Sequence, residues 1–104
     1  MAITISPSRR IHILDGDATG GGHGPGRGLA GKSEFPATLL DDEIILGIEA
    51  IANDPASYSA GTIPSSPGRF KASGMIKGTN TAVIVDPVAG EVITAWPTGV
   101  PRNP

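Results

Sequence analysis

The sequence predicts an α+β domain on three observations. An amphipathic helix is readable over residues 38–53, strand-like runs follow over 69–76, 81–86 and 91–96, and a short turn joins the last two. A helix first and a meander of strands after it is the α+β order. The 104 residues suit one domain spanning 1–104. Gly 15 and Pro 10 together approach the composition of disordered chains, but 38% hydrophobic residues and a net charge of −2 favour a packed core.

In the opening MAITISPSRR, Arg9 and Arg10 follow only three large apolar residues, and Pro7 interrupts that run. A secretory signal has the opposite layout, so the expectation is a cytoplasmic protein or a piece of a longer one. IHIL (11–14) reads as a short extended run, which turns His12 away from Ile11 and Ile13. A Gly-dominated loop, DGDATGGGHGPGRGLAGKSE, comes next. In the helix, Leu40, Ile44, Ile48 and Ile51 form one apolar stripe, widened by Ile45. Asp41, Asp42 and Glu43 suit the positive end of its dipole, and Asn53, Asp54 and Pro55 stop it. Gly47 weakens it by about 1 kcal/mol relative to Ala.

RFKASGMI (69–76) puts Phe70, Ala72 and Ile76 on one face, with Gly74 suited to a bulge or a close backbone approach. TAVIVD (81–86) and EVITAW (91–96) form an antiparallel hairpin. Strict alternation in the last strand sets Val92, Thr94 and Trp96 against Ile93 and Ala95. The ending WPTGVPRNP carries three prolines and reads as an extended strap.

Composition excludes several chemistries. With no cysteine there is no disulfide scaffold, thiol nucleophile or Cys-based metal site. No apolar stretch is long enough to span a membrane as a helix. The slightly acidic balance excludes nucleic-acid binding by bulk charge. Charge is uneven, however. Asp41, Asp42, Glu43, Glu49 and Asp54 make residues 41–54 acidic, while Arg69, Lys71 and Lys77 make 69–85 basic. A local basic cleft attracts phosphate whatever the net charge; the plainer reading is two solvated faces.

GRGLAGKS (26–33) fits the G-x-x-x-x-G-K-[ST] phosphate-loop pattern. Its required context, an apolar strand directly before and a helix through the lysine, is missing: GGGHGP precedes it and Pro36 follows closely. A nucleotide hydrolase is therefore the weakest of the readings carried forward.

The two histidines, His12 and His23, both lie in the first 23 residues. A histidine within an apolar run is ordinarily structural. One amid glycines has no packing rationale, and such loops display reactive groups. Two imidazoles and a lysine supply a base, an acid and a fixed cation. Those are the three roles needed to cleave RNA through its own 2′-hydroxyl, without a metal or a covalent enzyme intermediate.

The order of the motifs is more specific than the inventory. HILDGDATGGGHGPGRGLAGKSEFPA, then DDEIILGIEAIANDP, then GEVITAWPTGVPRNP, resembles the bacterial EndoU nuclease domain over residues 11–104. That family occurs as the C-terminal toxin of contact-dependent inhibition and other polymorphic toxin proteins. The resemblance implies a helical N-terminal part packed on an antiparallel sheet, as in the barnase–EndoU–colicin nucleases. It places the catalytic roles on His12, His23 and Lys32, with Thr94 at the scissile phosphate and Trp96 stacking on a base or ribose. Gly21, Gly22 and Ser33 fall in the expected substrate-binding loop. The family's usual aromatic is tyrosine, so Trp96 lacks the phenolic hydroxyl. Which histidine is acid and which base stays open; His12 as acid and His23 as base is the assignment adopted.

The expected function is thus an endoribonuclease toxin needing neither cofactor nor metal, and leaving 2′,3′-cyclic phosphate and 5′-hydroxyl ends. Its expected substrate is RNA, with transfer RNA anticodon loops a candidate, and its expected partner a cognate immunity protein that caps the cleft. Export as part of a larger toxin, and action in the target-cell cytoplasm, go with that reading. The alternative is a non-catalytic RNA- or nucleotide-binding module on the same scaffold.

Overall fold

The computed structural model describes residues 2–58 and 68–104. Two helices, α1 (Pro7–Leu14) and α2 (Asp41–Ala52), pack on a three-stranded antiparallel sheet of β1 (Phe70–Ile76), β2 (Thr79–Asp86) and β3 (Glu91–Pro97), in the order β1-β2-β3. The architecture is α+β. Among the described residues, no helix is long and apolar enough to cross a membrane.

The run 11–14 is helical and not extended. Ser6 is the N-cap, accepting from the Arg9 amide, and Pro7 takes the first helical position. Proline is favoured there because its missing N–H is one the helix would leave unbonded. An eight-residue helix is marginal by itself. Here Ile13 and Leu14 bury against the core, and Gly16, at φ 84°, ends the helix by returning its amide to the Ile11 carbonyl.

Helix α2 begins three residues later than its periodicity suggests. Leu40 is the N-cap and is 69% exposed, while Leu39 turns inward at 5%. The Glu43 carboxylate accepts from the Leu40 amide, which fixes the start. Ile44, Ile45, Ile48, Ile51 and Ala52 then bury against Ala72, Ile76, Val83, Val85, Val92 and Ala95. Two glycines set how closely α2 lies on β1. A Cβ at Gly47 would stand 2.7 Å from Ile76, and one at Gly74 would stand 2.8 Å from Ile51.

The β1–β2 connection is Lys77-Gly78, both at positive φ, the two-residue turn whose twist matches a hairpin. In the β2–β3 connection the Asp86 carboxylate accepts from the amides of Val88 and Ala89. Strict alternation fails in β3. Ile84 pairs with Thr94 and Val85 with Val92, so Ile93 is an extra, bulged residue. Val92 and Ala95 consequently both face the core, while Thr94 and Trp96 share the opposite face. The start of β3 is flanked by Thr4, which forms a parallel bridge to Glu91.

Candidate active site

The site lies where the end of α1, the Gly-rich loop, the outer face of β3 and the C-terminal strap meet. The last carbonyls of α1 have no intrahelical partners. The loop supplies them: the Gly22, His23 and Gly24 amides donate to the carbonyls of His12, Ile13 and Leu14 at 2.9, 2.7 and 2.9 Å. This ladder fixes His23 ten residues along the chain from Ile13. It also requires glycine. At Gly21, φ 78°, a Cβ would stand 1.9 Å from the His12 carbonyl oxygen. Gly21 and Gly22 are buried in that packing, and the Gly22 amide is committed to the helix end.

His12 is 6% exposed. Its Nδ1 lies 3.0 Å from Asp17 Oδ1 and its Nε2 lies 3.1 Å from Thr94 Oγ1. Asp17 also accepts from the Thr19 hydroxyl at 2.6 Å and the Thr19 amide at 2.8 Å. The Thr19 hydroxyl first, and then His12, hold the Asp17 carboxyl down to about 2. Asp17 is therefore a carboxylate near neutral pH, and it orders the imidazole through Nδ1.

His23 Nδ1 lies 2.6 Å from the Ser33 carbonyl oxygen. A carbonyl only accepts, so Nδ1 carries the hydrogen and Nε2 is the free lone pair of the neutral ring. Partial burial pushes the imidazole below its ordinary range. The Ser33 carbonyl opposes this, and the charges of Lys32, His12 and Arg102 add to the lowering. Ser33 is itself buried, its hydroxyl donating to the Pro97 carbonyl at 3.2 Å. Its part in the site is to position His23 and to tie the loop to β3.

Three cavities open around these residues, and two of them are lined by a histidine; the third, of about 230 Å³, lies between Trp96, Arg102 and the strap. One of the histidine-lined pair, of about 190 Å³, is lined by His23, Gly31, Lys32, Ser33, Trp96 and Arg102. The other, of about 410 Å³, is lined by Arg9, His12, Thr19, Arg69, Ile93 and Thr94. Thr94 lines the second cavity and Trp96 the first, and the two residues stand on one face of β3 about 7 Å apart along the strand. The Lys32 ammonium reaches toward the first histidine's side: its Nζ lies 3.7 Å from where a Gly20 Cβ would stand, in the turn that Asp17 and Gly20 close.

The remaining bases divide cleanly. Arg10 pairs with Asp42, Arg27 with Asp15 and Asp41, and Lys77 with Glu43. Among the described residues, Lys32, Arg69, Lys71 and Arg102 have no carboxylate within 4 Å, and Arg9 has only Glu91 at 3.8 Å. Four of these five cations line the two cavities. No three His, Asp or Glu side chains cluster as metal ligands among the described residues.

The phosphate-loop pattern folds differently. No helix starts at Lys32; Ser33 instead bridges to Arg102 in the strap. The amides of Gly26 and Gly28 are occupied by the Glu34 carboxylate at 3.0 and 2.7 Å, and Asn103 donates to the same group at 2.8 Å. The loop already holds an anion of its own.

Five site residues escaped the sequence reading: Asp17, Thr19, Arg9, Arg69 and Arg102. Asp17-x-Thr19 is a side-chain-to-backbone turn pattern, and Arg9 stands one helical turn before His12. Both signals depend on reading residues 7–14 as a helix. No protein family, curated protein or solved structure matches the chain, so the site stands on its own geometry.

Proposed function

We propose that this domain is an endoribonuclease that cleaves RNA by transesterification through the 2′-hydroxyl. The observation that carries the reading is that His23, Lys32 and Trp96 line one cavity and His12 and Thr94 another on the same face of β3, with four cations around them, three of which have no carboxylate within 4 Å among the described residues. Neutral His23, with Nδ1–H held by the Ser33 carbonyl, accepts the 2′-hydroxyl proton at Nε2. The 2′-oxygen attacks phosphorus as the bond to the 5′-oxygen breaks. His12, as imidazolium ordered by Asp17, returns a proton to that 5′-oxygen from Nε2, beside Thr94. Lys32 and Arg102 offset the charge gathering on the non-bridging oxygens. The products are a 2′,3′-cyclic phosphate and a 5′-hydroxyl end. Trp96 presents a ring for a base to stack on.

With this activity goes the role of a toxin delivered by a larger secreted protein into a target cytoplasm, silenced by an immunity protein over the same cavities. The test is incubation of the purified domain with total RNA and a chelator. The expected outcome is fragments with cyclic phosphate ends, lost in His12→Ala and His23→Ala. Binding without cleavage points instead to a non-catalytic RNA module. Full cleavage in both histidine variants refutes the mechanism.

A further inference from the structure

We infer that Arg9 and Arg69 form a subsite for the phosphate that follows the scissile one, on the 3′ side of the leaving nucleoside. The inference rests on the nuclease reading and adds a direction to the bound strand. If His23 is the base and His12 the acid, the nucleoside bearing the 2′-hydroxyl lies on the His23–Trp96 side. The departing 5′-oxygen lies at His12 Nε2, between Thr94 and the larger cavity. The strand beyond that oxygen enters the cavity walled by Arg9, Thr19, Arg69 and Ile93.

That cavity is built to take an anion. Arg69 has no carboxylate within 4 Å among the described residues, and residues 59–67, which precede it closely, contain no acid. Arg9 stands on α1 one turn before His12, with Glu91 at 3.8 Å, longer than a hydrogen bond. Apart from Glu91, the nearby carboxylates have other partners. Asp17 is held by Thr19 and His12, and Asp86 by the amides of Val88 and Ala89. The bulge at Ile93 breaks the regular pleat beside Thr94, and Ile93 lines the cavity together with the two arginines. Two arginines lining one cavity suit a phosphate dianion or diester, which guanidinium groups grip with planar, paired donors.

The test compares three small RNA substrates of mixed base: NpN, NpNp with a phosphate on the 3′ side of the leaving nucleoside, and pNpN with one at the other end. The wild-type protein is expected to cleave NpNp about tenfold better in kcat/KM than NpN, the size of one charge-assisted contact. It is expected to show no comparable preference for pNpN. In Arg9→Ala/Arg69→Ala the NpNp-to-NpN ratio should fall to near one, and Arg69→Lys should give an intermediate ratio in a folded protein. The wild-type ratio should also shrink as salt is raised. A ratio near one in the wild type, or a ratio that survives the double substitution, overturns the subsite. A preference for pNpN that depends on the two arginines reverses the direction and refutes the inference as stated. Absence of cleavage of all three substrates by the wild type refutes the nuclease reading itself.

Discussion

At the residue scale, the two imidazoles are prepared differently. His23 is partly buried, and burial favours its neutral form. Folding therefore gains from His23 above the ordinary histidine value of about 6.5, and that gain is lost as pH falls through the lower folded value. The acid limb of kcat/KM for RNA cleavage is expected to turn below pH 6.5, as a pH–rate profile will show; a limb turning above 6.5 contradicts His23 as the base. Asp17 remains ionised across that range, its carboxyl lowered to about 2 by Thr19 and His12. Asp17→Asn keeps the shape but no longer offers a carboxylate to His12 Nδ1. Its kcat should drop on the order of 10²-fold, with an unchanged circular dichroism spectrum and a shifted His12 ring signal by NMR. His12, His23 and Lys32 could be singled out in the sequence by the resemblance of motif order, and the structure places His23 and Lys32 on one cavity and His12 on another. Asp17 and Thr19 could not be singled out, because their partner's direction depends on the helix that carries it.

At the element scale, local propensity and packing disagree at Gly47. In an isolated helix, alanine there would stabilise by about 1 kcal/mol. Against Ile76 the added carbon meets side-chain atoms at 2.7–2.9 Å. Gly47→Ala is expected to destabilise by about 1–2 kcal/mol in urea unfolding, and Ile76→Val should recover part of that loss in the double variant. Periodicity made α2 and the three strands readable, since their buried faces repeat at 3.6 and 2 residues. It failed where one residue breaks the repeat: the bulge at Ile93 moves Val92 to the face of Ala95. It failed also at α1, whose start is signalled by Ser6-Pro7 and not by a stripe. The loop and strap form a second unit, joined through Glu34. Hydrogen bonds from Asn103, Gly28 and Gly26 lower the Glu34 carboxyl, so these links persist above the ordinary range and weaken as pH falls through the lowered value. In Glu34→Gln, hydrogen exchange at the Gly31 amide, bonded to the Asn103 carbonyl, should quicken well before exchange in β2 does.

At the scale of the whole molecule, one core joins both helices to one face of the sheet. Phe35, Ile13, Ile44, Ile48, Val83, Val85 and Val92 are its largest fully enclosed members. With so little redundancy, Ile48→Ala should cost about 2–5 kcal/mol, read from the midpoint of chemical unfolding. That is a large part of the roughly 5–15 kcal/mol a domain of this kind possesses. The opposite face of β3 is left to the site: Lys32, Arg69 and Arg102, which have no carboxylate within 4 Å among the described residues, line its cavities with Arg9, while Arg10 and Arg27 tie elements together. The uneven charge was visible in the sequence, but its division into tying and free cations was not. Arg27, which a count assigns to the basic loop, is absorbed by Asp15 and Asp41.

The three-rung ladder from the Gly-rich loop to the end of α1 means that both imidazoles hang from one peg. His12 belongs to the last turn of that helix, and His23 is strung from the very next carbonyl. If that turn unwinds, neither imidazole keeps its place, so the pair behaves as one machine part whose spacing cannot drift piecemeal.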